Sequence, residues 1–430
     1  MILNRCYRSN NSMKEYGLCL SCQGFSDLVL GVFFLMFGAY ARSVTGWDLS
    51  LIFCGILAWF YLVKAYKRLD ISWRANFYPL GYQLLLFLYL LVVAVMILRG
   101  YTSDNEFQWK STFSMLRFHL LDSTYILPYL MPIVLFVPYR YYSFSWVVKL
   151  SKWMALLTLF AFVVFFPQIV LSAKFSMMQI EAPAGLVQGT DIVIYGNFCF
   201  ISLCWAYIPK SIWKFNLLGL LVCLLALMIA ARRGDSLSYF IVLVYLVIQY
   251  FKHHGAVAKL FILLMLLFGV YFILSSDLFS FIFQRGMEDT RSFVEKTMLS
   301  QMSDFEMFIG KGLNGRYFCP LHEEEYLDGW RYGIETGFYN IVLKGGYLMA
   351  CLYIILLVIP AYKGCFKSCN QLCRAGGFYI FLSLFELYPF GWLTFDIKFL
   401  IIWMMVALCM NPVVRKMSDE DVKRVFFNAK

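Results

Sequence analysis

Apolar runs, most of them 16 to 24 residues long, recur along this chain from Leu28 to Met410 with short polar intervals between them. A helix that crosses a bilayer needs about 20 such residues. The runs are continuous rather than alternating, which excludes a transmembrane barrel. The pattern predicts an all-α polytopic membrane protein of about twelve transmembrane helices: 26–42, 48–66, 78–98, 123–138, 153–172, 190–208, 214–231, 236–251, 257–275, 337–360, 376–391 and 397–411. One interval breaks the rhythm. Between the ninth and tenth spans lies a long polar stretch, 276–336. The chain therefore divides into an N-terminal bundle of nine spans (1–275), a loop domain (276–336), and three further spans with a polar tail (337–430). Short connections within the first nine spans favour antiparallel neighbours in one bundle.

Composition agrees with this division, at 61% hydrophobic and 15% charged. The formal charge of +11 at first suggests nucleic acid, but its distribution points to a membrane. Of the 37 Lys and Arg, 22 fall in the termini, in alternate short intervals or at their span edges. The positive-inside rule puts that set, and both termini, in the cytoplasm. The long loop then faces out, and the basic surplus meets anionic lipid rather than nucleic acid. The first 25 residues are polar and cysteine-bearing, so the first span is expected to act as its own insertion signal. Of thirteen cysteines only Cys319 lies in the long loop, which therefore has no internal disulfide partner. Cys19 and Cys22 form C-x-x-C, and Cys365, Cys369 and Cys373 recur every four residues. No second pair or histidine stands at ligand spacing from either group, so both are read as reduced thiols.

The polar chemistry is concentrated in a few places. Arg232-Arg233-Gly234-Asp235 forms an outward turn where the charge rule disfavours arginine. Its side chains either snorkel to headgroups or grip an anion with planar guanidinium forks. In the loop, Asp289-Thr290 can cap a helix reaching about Ser303, with Val294, Met298, Met302 and Phe305 on one face and Arg291 in its first turn. Gly310, Gly312 and Gly315 satisfy G-x-G-x-x-G, but without the strand and helix of a nucleotide fold they suggest a turn that brings backbone close to a partner. Lys311, Arg316 and Tyr317 belong to that turn. Trp330, Arg331 and Tyr332 precede Glu335 at the entry to the tenth span, where Gly345 and Gly346 permit close helix packing. Aromatics at a span entry suit an interfacial belt, whereas a carboxylate beside arginines suits proton transfer or an ion pair. His322-Glu323-Glu324-Glu325 reads as a solvated acidic patch. The intervals 99–122 and 174–189 read as a surface segment and a lid-like loop.

These residues, in this order, resemble the O-antigen polymerase and O-antigen ligase superfamily of bacterial membrane glycosyltransferases. Ala231-Arg232-Arg233-Gly234 is similar to the family's outward arginine–glycine turn, and Arg291 to its loop arginine. Ile309-Gly310-Lys311-Gly312 is similar to its glycine-bounded turn, and Glu335-Thr336-Gly337-Phe338-Tyr339 to the element that enters a glycine-containing span. Glu335 stands where the ligase branch has histidine. The resemblance covers about 190–360 by motif and the remainder by hydropathy. It implies glycosyl transfer outside the cytoplasm from a polyprenyl-pyrophosphate-linked oligosaccharide, in the bacterial inner membrane, with a chain-length regulator as a further candidate partner. Arg232, Arg233 and Arg291 would stabilise the pyrophosphate leaving group. Glu335 would be the base, and Lys311, Arg316, Tyr317, Trp330, Arg331 and Tyr332 would contact sugar. No paired-acid D-x-D stands in the first outward loop, so no metal or other cofactor is expected. The alternatives are a ligase and a lipid-linked oligosaccharide flippase or other transporter. Transporters place charge at midplane, where Glu386 is the one serious acid.

Overall fold

The computed structural model describes residues 11–69, 78–100, 119–177, 186–230, 232–252, 291–319, 329–388 and 391–427. They form helices α1 (Asn11–Thr45), α2 (Asp48–Arg68), α3 (Leu80–Arg99), α4 (Ser145–Met177), α5 (Lys210–Ile229) and α6 (Arg233–Lys252). After the polar interval begin α7 (Ser292–Ser300) and α8 (Asp304–Ile309), then α9 (Gly337–Phe366), α10 (Gln371–Glu386) and α11 (Ile397–Met410). Among the described residues six helical segments are long and apolar enough to cross a membrane: Gln23–Thr45, α2, α3, Ser145–Phe175, α5 and α9. Leu127–Phe136, Gly234–Gln249 and α11 are shorter apolar segments. The protein is an all-α multi-pass membrane protein. The span expected at 257–275, the loop residues 276–290, the surface segment 101–118 and the acidic patch around His322 lie outside the described residues.

Two expected spans are not single helices. Pro128 and Pro132 bring no N–H to the 123–138 segment, which becomes a four-residue α-turn followed by a tight 3-10 stretch, Met131–Phe136. The 190–208 segment breaks into 3-10 turns at Gly189–Ile192 and Ile194–Phe198 and a short helix, Phe200–Leu203. Close approach explains that choice. A Cβ on Gly189 would lie 2.5 Å from the Ala226 carbonyl, and one on Gly196 would lie 1.9 Å from the Tyr239 hydroxyl. Both segments still run end to end through the bundle. The first starts at Ser123, whose carbonyl accepts from the N–H of Phe395 just before α11, and ends where Phe144 donates to the Phe426 carbonyl near the C-terminus. The second starts at Val187, bonded to Gln168 of α4, and ends at Tyr207, whose hydroxyl donates to Asp419 and accepts from the Leu372 N–H.

At the centre lies α11. Every residue from Phe399 to Met410 is buried, as expected of a helix that is apolar all round. α9 and α10 pack on it, while α1 pairs with α2 and α4 with α5. The outer faces are apolar: Phe53, Ile56 and Phe60 on α2, Leu84, Phe87 and Leu91 on α3, and Phe160 and Val163 on α4 are all exposed. In water such a surface would aggregate, whereas lipid satisfies it.

α9 is broken at Gly346, where φ is +71°, a left-handed value that glycine adopts at little cost. The break withdraws the N–H groups that would otherwise reach the carbonyls one turn earlier. The glycine-bounded turn after α8 replaces them. The N–H of Lys311 donates to the Leu343 carbonyl at 2.8 Å, and that of Gly312 to the Lys344 carbonyl at 3.0 Å. The buried Lys344 ammonium closes the joint by donating to the Gly315 carbonyl at 3.0 Å. The G-x-G thus brings backbone close to a partner, as its sequence suggests, and that partner is the broken span.

Candidate functional site

The loop residues gather at the end of the bundle where α9 and α11 begin and α10 ends. Ser303 caps α8 and forms a reciprocal capping box with Glu306, so the helix expected to reach about Ser303 ends at Ser300 and a second short helix follows it. Val294, Met298 and Met302 dock on the bundle as their spacing predicts, but Phe305 turns outward. Docking of α7 sets Arg291 beside Glu335, with Nε 3.4 Å from Oε2. One turn along α7, Glu295 accepts from the hydroxyl of the buried Thr336. Two acids and one arginine therefore converge on the entry to α9. The pair is accessible: Glu335 is 59% exposed and Arg291 35%.

A short antiparallel ladder carries the other loop residues, β1 (Tyr317–Phe318) against β2 (Trp330–Arg331). Arg316 lies over the Trp330 indole, 4.6 Å from the ring centroid, and Phe318 meets the same ring edge-on. The expected sugar contact at Tyr317 is corrected. Its ring is fully buried in the core and its hydroxyl donates to the Gly333 carbonyl, so it has no face to offer a ligand. Arg331, Tyr332 and Lys311 are half-buried beside the ladder and turn.

Beneath this surface lies a cavity of about 290 Å³ that sequence reasoning did not anticipate. Its polar lining comes from five elements: Tyr40 of α1, Asn197 of the broken segment, Asp235 of α6, Glu386 of α10, and Asp396 with Lys398 at the start of α11. Lys398 and Glu386 form an ion pair at 2.7 Å with both side chains largely withdrawn from solvent. Asp396 caps α11 through the Phe399 N–H and accepts from Thr394. Glu386 is a solitary charge at the end of one apolar run, and Lys398, two residues after Asp396, stands at the start of the next. Their opposite signs at neighbouring span ends are the signal that could have paired them from sequence.

Trp392 joins the two regions. It lines the cavity and donates its indole N–H to the Ile334 carbonyl at 2.7 Å, next to Glu335. The N–H of Phe338 reaches the Leu387 carbonyl, one residue beyond Glu386, at 2.9 Å. Gly337 fits tightly there: a Cβ would stand 2.0 Å from the Gly391 carbonyl. Arg232 is exposed at the same end, where its charge acts favourably on the Asp191 and Asp235 carboxylates. Arg233 opens α6, and its side chain lies outside what is described. Among the described residues no three His, Cys, Asp or Glu side chains are grouped as a metal site would need. Comparison with family models, curated proteins and solved structures finds no match.

Proposed function

We propose that this chain is a membrane glycosyltransferase that polymerises polyprenyl-pyrophosphate-linked oligosaccharide repeat units of a bacterial surface polysaccharide. The observation that carries the reading is the accessible Arg291–Glu335 pair, next to Ile334, whose carbonyl accepts from the cavity-lining Trp392, with Arg232 exposed at the same end. In this reading the chain crosses the inner membrane twelve times, with both termini inside and the loop outside.

The acceptor sugar hydroxyl attacks the anomeric carbon of the donor and a carbon–oxygen bond forms. The bond from that carbon to the pyrophosphate breaks, and its electron pair leaves with the phosphate oxygen. The hydroxyl proton passes to the Glu335 carboxylate. Arg291 is shared: the incoming pyrophosphate competes with Glu335 for its guanidinium, which frees the carboxylate to act as base. Arg232 adds positive charge where the leaving group develops negative charge. Trp330, braced by Arg316, and Tyr332 border the approach of the sugar chain.

The Glu386–Lys398 pair, largely withdrawn from solvent where α10 ends and α11 begins, supports a second reading, a lipid-linked oligosaccharide carrier, because ionisable groups lining a bundle cavity are a transporter trait. Purified protein in proteoliposomes with lipid-linked repeat unit separates the two. A polymerase releases polyprenyl pyrophosphate and builds products longer than one unit. A ligase needs a second acceptor, and a carrier moves the lipid without making a bond.

A further inference from the structure

The cavity beneath the Arg291–Glu335 pair differs in character from the surface above it. Among the described residues its lining sets three carboxylates, Asp235, Glu386 and Asp396, against the one ammonium of Lys398. Such a lining repels a pyrophosphate, so the anion has to remain at the arginines above. The remaining walls are those that sugars favour. Tyr40 and Trp392 supply aromatic surface, and Asn197 supplies an amide beside the carboxylates. Carboxylates and amides accept from the vicinal hydroxyls of a pyranose, while ring C–H groups rest on aromatic faces. The volume of about 290 Å³ lies at the lower edge of the roughly 300–1,000 Å³ common for small-molecule pockets, which fits one ring and not a chain.

We infer that this cavity is a saccharide subsite that takes one uncharged sugar ring, with Asp235, Asn197 and the Glu386–Lys398 pair reading its hydroxyl pattern. The inference rests on the glycosyltransferase reading and extends it. It divides the substrate between two places, with pyrophosphate at the arginines and a sugar ring below Trp392. Asp235 thereby becomes a specificity residue. It sits two residues after Arg233 in a motif whose arginines otherwise draw the attention.

The test uses full-length protein in nanodiscs and a panel of free monosaccharides: glucose, galactose, mannose, rhamnose and N-acetylglucosamine. Binding is read by saturation-transfer NMR. At least one sugar is expected to give a signal that inorganic pyrophosphate does not displace and that falls at least fivefold in Asp235→Asn and Asn197→Ala. Asn197→Ala retains every charge and guards against an electrostatic collapse in the other variant, and melting curves verify that both are folded. Silence from every sugar, displacement by pyrophosphate, or undiminished signals in both folded variants would overturn the subsite. The two proposals fail separately. Sugar binding without polymer formation leaves the subsite and removes the transferase, whereas polymer formation with unaltered variants does the reverse.

Discussion

The backbone N–H of Gly312 donates to the carbonyl of Lys344, so the turn between α8 and β1 completes the hydrogen bonding of a broken span. An unpaired carbonyl in a bilayer costs several kcal/mol, and the loop therefore cannot leave α9 cheaply. The loop's position, and with it that of Glu335 nine residues before Lys344, is tied to the break at Gly346.

Replacing Gly346 with alanine should consequently destabilise the protein more than a helix propensity scale suggests. Its φ of +71° disfavours any Cβ by about 1–2 kcal/mol, and the added atom would lie 2.2 Å from the Phe308 carbonyl. A fall of several degrees in the melting temperature of detergent-purified Gly346→Ala is the expected result. Gly81→Ala is the control, since nothing stands within 4 Å of a Cβ there. Equal melting of the two variants would mean that the joint does not hold the loop.

The Glu386–Lys398 pair should behave as a buried ion pair. Taking away one partner strands the other charge and costs about 3–5 kcal/mol, whereas removing both is far milder. Glu386→Gln is expected to lower the melting temperature sharply, and Glu386→Gln with Lys398→Met to recover most of the loss. A double variant as unstable as the single one would show that the two residues act independently.

Much of this architecture was legible in the chain. Hydropathy located α1, α2, α3, α5 and α9 because each is a continuous apolar run. It could not foresee that Pro128 and Gly196 would turn two further runs into chains of short turns, since apolar content reports burial and not backbone shape. At the site, Arg291 and Glu335 were legible as unusual charges, and the fold brings them together. The cavity was hidden because its polar lining is spread over five separated elements, of which only Asp235 belongs to a motif that stands out in the sequence. Tyr317 misled because an aromatic residue in a polar loop looks the same in sequence whether it faces solvent or fills the core.

Orientation rests on the charge alternation, and it can be read with impermeant reagents. In a background lacking other thiols, Lys296→Cys on α7 should react with an impermeant maleimide on intact spheroplasts, whereas Lys416→Cys should react only after lysis. Both positions are exposed. The opposite labelling would turn the protein over and put the site in the cytoplasm.

Arg232 should tolerate lysine poorly if it grips phosphate, because lysine keeps the charge and loses the planar fork. Loss of one such transition-state contact typically costs about a hundred- to thousandfold in rate. Turnover of lipid-linked repeat unit by Arg232→Lys and Arg232→Gln is the measurement, with Arg291→Lys alongside. If all three stay within a few-fold of the parent, the arginines serve only to anchor the bundle end in lipid headgroups.

The most direct test of the glycosyl-transfer account is the product pattern of Glu335→Gln on purified lipid-linked repeat unit. A half-exposed ion pair contributes only about 0–1 kcal/mol to stability, so the variant should fold and melt like the parent. Removal of a general base typically costs about a hundred- to ten-thousandfold, and the variant should leave single repeat units with no ladder of longer chains. A normal ladder from the folded variant would contradict the account.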